Sequence, residues 1–186
     1  NDPLMRNIIS DLLTLAEEYL CQKKMNENDF RKGMMLLHEF HDRKLNDHFL
    51  KQKLTTSKLV ETRAFKDEIY YDNQTELSRL YSLFLKETED TFTRENQIYQ
   101  EASDFITAGF LIRILYYNTY MLTRQSHISN FSFKLNFSEE IDNFFERDGK
   151  RFLEIPFIRV NYLSFKLIQT GDEKYFHLLR NFLKEH

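Results

Sequence analysis

Only four glycines and two prolines interrupt the 186 residues of this chain, and that scarcity constrains the fold more than any motif does. A sheet of many short strands needs frequent tight turns, and those turns draw on Gly and Pro. Helices need far fewer such residues. Hydrophobic residues make up 41% of the chain and charged residues 30%, the mixture expected of helices that bury one face and hydrate the other. Eighteen Phe and ten Tyr supply ample apolar area for a core.

The few breaking residues sit where helices should start and stop. Asp2 and Pro3 read as a cap and first helical position, and Leu4, Ile8, Leu12, Leu15 and Tyr19 then recur at helical spacing to about Lys24. Asn26 to Asp29 restart the chain into a second helix, in which Phe30, Met34, Leu37 and Phe40 form the buried face as far as Lys44. Gly33 lies inside it. An interior glycine lowers helix stability by about 1 kcal/mol relative to Ala, so its purpose should be close approach of a neighbouring helix. A third helix is expected from Asn46 to about Arg63, facing inward through Phe49, Leu50, Leu54 and Leu59. A fourth carries Ile69, Tyr70, Leu77, Leu80, Tyr81 and Phe84 to about Thr88.

The polar stretch 89–95 reads as a connection and a sub-boundary in what is otherwise one domain over residues 1–186. Helical spacing resumes from Asn96 to about Gln125 through Ile98, Phe105, Phe110, Ile114, Tyr117 and Met121, with a break or tight packing at Thr107 to Gly109. Residues 126–137 alternate through Ile128, Phe131, Phe133, Leu135 and Phe137, but no second strand exists to pair with them, so an extended loop is expected. Ser138 starts a short helix ended by Gly149. Pro156 to Gly171 and the segment from Asp172 onward then form a helical hairpin. Successive hairpins point to an all-α array of antiparallel helix pairs, TPR-like or α-α superhelical, with a closed multi-helix bundle as the alternative.

Net charge is −3 with both signs interspersed, so nothing calls for nucleic acid. No apolar run approaches the roughly 20 residues a membrane-spanning helix requires. The single cysteine, Cys21, cannot form an internal disulfide and fits a reducing cytoplasm.

The opening run Asn1, Asp2, Arg6, Asn7, Ser10, Asp11, Leu12 and Leu13 with Glu17 to Leu20, the turn Lys44-Leu45-Asn46-Asp47, the stretch Leu115 to Arg124 and the closing Ile155 to Leu183 together resemble a family of long all-helical proteins from Bacteroidetes. The resemblance covers most of the chain but rests on caps and core positions. It implies a chain that extends further upstream than Asn1. It carries over no activity and no site residue.

Three groups of residues invite a chemical reading. His38 and His41, three apart on one helix face, with His48 beyond, are candidate zinc ligands, although the metalloprotease pattern needs HExxH and this stretch is HExH. Solvated histidines are the ordinary alternative. Tyr116 and Tyr120 with Arg113 and Arg124 combine the residue types that dominate binding hot spots. In the plain structural alternative, Tyr117 belongs to the core while Tyr116 and Tyr120 lie at the surface. Glu17, Glu18, Glu139, Glu140 and Asp142 could pair for acid-base work, but helix-start acids also complement the macrodipole.

No Gly-rich phosphate loop, GxSxG or CxxC occurs, no cofactor is implied, and the reading leans away from an enzyme. A scaffold that binds a protein or peptide, with room for a homo-oligomer, should expose an aromatic patch beside a groove. The alternative, an enzyme or ligand-sensing bundle, should instead enclose a pocket of convergent polar groups.

Overall fold

The structure, a computed structural model, describes residues 3–88, 92–127 and 132–185, with side chains outside 92–95. It is all-helical, with no strand among the described residues. In chain order the α-helices are α1 (Pro3–Asn26), α2 (Asp29–Asp42), α3 (Asn46–Glu61), α4 (Glu68–Glu87), α5 (Phe92–His127), α6 (Ser138–Glu146), α7 (Pro156–Thr170) and α8 (Glu173–Glu185). A short 3-10 helix, Gly149–Glu154, precedes α7. Asp2, Ile128 and Phe131 lie outside the described residues, as does the part 89–91 of the expected connection.

The chain forms two compact units, Asn1–Arg63 with Arg79–Thr91, and Ala64–Ser78 with Phe92–His186. In the first, α2 and α3 pack as an antiparallel hairpin. Asn28 caps α2 by accepting the Arg31 amide, and the chain reverses at Lys44, whose φ of 55° is left-handed. Gly33 lies against α3, where an added Cβ would stand 2.5 Å from the Thr56 hydroxyl oxygen. The core of this unit joins Met34 and Leu37 to Phe49, Thr56 and Val60, and the Phe49 ring stacks on Phe84 at 4.2 Å between centroids. That corrects the expected face of α3. Leu50, Leu54 and Leu59 are exposed, and the seam runs through Phe49, Thr56 and Val60 because helix packing follows position, and α2 offers its gap at Gly33 to a small side chain. A larger departure concerns α1, whose apolar stripe is entirely in water: none of its residues is buried.

In the second unit, α5 packs along α7, and α7 and α8 form the expected hairpin. Gly171 ends α7 with φ 67°, donating its amide to the Leu167 carbonyl, and Asp172 accepts the Lys174 amide at the start of the next helix. Leu111, Ile112 and Leu115 of α5 meet a core completed by Ile141, Phe145, Phe152, Ile158 and Phe165. α5 shows no break at Thr107 to Gly109. Close packing occurs there instead, because an added Cβ at Gly109 would touch the Tyr71 Cβ at 3.5 Å. The described part of the loop before α6 is held by two side chains of α5. Asn118, fully buried, donates to the Asn136 carbonyl at 2.8 Å, and Gln125 accepts the Phe133 amide at 3.1 Å. The Asp142 carboxylate of α6 accepts from Tyr162 at 3.1 Å and from Lys166 at 2.6 Å, both on α7.

Candidate functional site

The second unit carries an open cleft of about 430 Å³, lined by Asp67, Glu68, Ile112, Arg113, Tyr116, Tyr117, Phe157 and Asn161. Three helices build it. At the start of α4 the Asp67 carboxylate accepts the Tyr70 amide at 2.9 Å, which fixes the acidic corner of the cleft at the positive end of that helix. α7 contributes Phe157, displayed just after Pro156, and Asn161, whose amide donates to the Phe157 carbonyl. α5 supplies the remaining wall. Arg113 forms an ion pair with Asp72, one helical turn after Glu68, which holds its guanidinium at the rim.

Along α5 the residues 113, 117, 120 and 124 follow one another three or four apart and 116 lies three from 113 and four from 120, so all five fall on one face. Tyr116, Tyr117 and Tyr120 are 55%, 58% and 52% exposed. Tyr116 and Tyr117 meet edge to face at 5.4 Å, and the Arg124 guanidinium lies 5.9 Å from the Tyr120 ring centre. The structure thus brings Arg113 and Tyr116 into the cleft and leaves Tyr120 and Arg124 further along the same exposed face. Tyr117 corrects the assignment of that residue to the core: Asn118, the next residue, takes the inward position and turns Tyr117 outward. Sequence reasoning missed Asp67, Glu68, Phe157 and Asn161. Asp67 was legible in principle as an acidic residue preceding an apolar-periodic run.

The histidines are not brought together. His48 is exposed against the Phe40 ring and His38 is half-buried. His41 is largely buried, with Nδ1 3.4 Å from Asp42 and Nε2 3.6 Å from Glu87. It borders a second cleft, of about 370 Å³, in the first unit with Lys44, Asn46 and Glu87. Among the described residues no three His, Cys, Asp or Glu side chains converge as a metal ion would require. The acidic candidates are also apart. Glu17 and Glu18 lie on α1, Glu139 and Glu140 in the first turn of α6, and Asp142 is taken up by its bonds to α7.

Two tyrosines are perturbed away from the cleft. Burial pushes the Tyr71 hydroxyl up to about 12, with Tyr70 beside it adding to the effect. Tyr162 is raised further, first by burial and then by the Asp142 carboxylate it faces. Both groups stay protonated at neutral pH and act as core and hydrogen-bonding groups, not as acids.

The chain matches no protein-family model, no curated protein and no solved structure.

Proposed function

We propose that this chain is a non-catalytic helical scaffold that docks a protein or peptide segment on the tyrosine face of α5, with an apolar anchor of the partner seated in the adjoining cleft. The observation that carries the reading is the run of three tyrosines, each more than half exposed, along one face of a helix whose opposite face is core. Tyr and Arg bring large contact area with little conformational freedom to lose, which is why they dominate binding hot spots. Tyr116, Tyr117 and Phe157 offer aromatic walls, Arg113 and Asn161 offer donors, and Asp67 and Glu68 offer acceptors at the rim. The cleft is open, as a docking groove is and an enclosed reaction chamber is not. In this reading the hairpins α2–α3 and α7–α8 are the units of a TPR-like array, working in the cytoplasm.

A photo-crosslinking amino acid at Tyr116 or Tyr120 in native cells tests the proposal, with one at exposed Glu185 of α8 as the control. A protein captured at both tyrosine positions and not at the control, and bound at least about tenfold more weakly by the Tyr116→Ala, Tyr120→Ala double variant, supports it. Affinity unchanged by the double variant overturns it.

A further inference from the structure

Every residue of α1 from Pro3 to Lys24 is exposed, although the helix carries a continuous apolar stripe. Met5, Ile8, Leu12, Leu15 and Tyr19 recur at alternating spacings of three and four, and each is between 45% and 64% exposed. A single helix of this length and composition is marginal in water, because most helical stability in proteins comes from packing of the apolar face. We infer that α1 pairs in parallel with α1 of a second copy of this chain, forming a short two-stranded coiled coil.

Three observations select that occupant. The first is register: Met5, Leu12 and Tyr19 take position a and Ile8 and Leu15 position d of a heptad, the seam that two helices bury between them. The second is charge. This register puts Asp11 and Glu18 at g and Lys23 at e. In a parallel pair, Glu18 of each copy faces Lys23 of the other, twice by symmetry, whereas an antiparallel pair sets the acidic g positions against each other. The third is area. The five seam side chains and the flanking Ile9 at position e each keep about 100 Å² in water, so joining two stripes withdraws roughly 1,000 Å², near the lower bound of a specific interface. A lipid surface fits less well. The polar face balances Arg6, Lys23 and Lys24 against Asp11, Glu17 and Glu18, whereas helices that lie on anionic membranes carry a face rich in Lys and Arg.

Sedimentation equilibrium of this 22.7 kDa chain tests the pairing at concentrations up to about 100 μM, which detects any dimer with a Kd of that order or tighter. The expected result is a dimer that becomes a monomer in the Leu12→Asp, Leu15→Asp double variant. Because α1 contributes nothing to either core, that variant keeps the thermal transition of α2 to α8 and loses helical signal only from α1. Orientation is read separately in a Met5→Cys, Cys21→Ser chain, which should form an intermolecular disulfide under mild oxidation. A wild-type monomer throughout the range, or a dimer that persists in the double variant, overturns the pairing. A monomer that instead binds vesicles of anionic phospholipid overturns it in favour of a lipid surface. A dimer without the Met5→Cys crosslink overturns the parallel register.

Discussion

At Gly33 the backbone of α2 comes so near α3 that any side chain would collide with Thr56, whose hydroxyl oxygen is 2.5 Å from the place of the missing Cβ and which is itself fully buried. Gly33→Ala should therefore destabilise the chain by up to about 2 kcal/mol net, since an overpacking cost of about 1–3 kcal/mol outweighs the roughly 1 kcal/mol that alanine gains in a helix interior. Urea denaturation checks this, and Thr56→Ala in the same chain should recover much of the loss by vacating the contact. Tyr71 yields a second expectation, in alkali. Its folded value near 12 lies above the ordinary value near 10, so its contribution is complete below pH 10 and is lost as pH rises from about 10 to about 12. Above that window the loss should reach about 3 kcal/mol, and Tyr71→Phe should flatten this part of the stability-versus-pH curve measured by urea melts.

Helices are legible in this sequence wherever apolar spacing and a stop residue agree, and the α7–α8 hairpin follows from Pro156, Gly171 and Asp172 alone. Which face a helix buries is less legible. In α3 the leucines at 50, 54 and 59 look like the core by composition, yet the structure buries Thr56, a residue that reads as polar, because the decisive fact is the gap left by Gly33 on another helix. The cleft divides in the same way. Arg113 and Tyr116 stand out because they share one helix face, but Asp67, Phe157 and Asn161 arrive from other helices through packing that no one-dimensional pattern encodes. The join between α6 and α7 gives a test at this scale. Asp142→Ala would leave the Lys166 ammonium, only 12% exposed, without its carboxylate and would deprive the Tyr162 hydroxyl of its acceptor. The expected cost is about 2 kcal/mol, below that of a fully buried pair because Asp142 is partly solvated. Hydrogen exchange should place the increased opening in α6, and Asp142→Asn should lose less than Asp142→Ala by keeping an acceptor for Tyr162.

Among the described residues the apolar side chains gather into two cores, one around Phe49 and Phe84, the other around Phe165, Ile158 and Leu115. Phe49 and Phe165 are 1% and 0% exposed, so truncating either to alanine removes its contacts and leaves a cavity, at a cost of about 3–5 kcal/mol. The two losses should differ in where they appear. Phe49→Ala should raise amide exchange through α2 and α3 and leave α7 and α8 at wild-type protection, and Phe165→Ala should do the reverse, because each ring supports only the helices of its own unit. α4 is the element to watch, since its first turns up to Ser78 belong to one unit and the remainder to the other. If exchange rises along all of α4 in either variant, that helix transmits the loss and the chain unfolds as one cooperative body. If the rise stops near Ser78, the two cores open independently, and a partner bound on the tyrosine face of α5 would then protect the second unit without slowing exchange in the first.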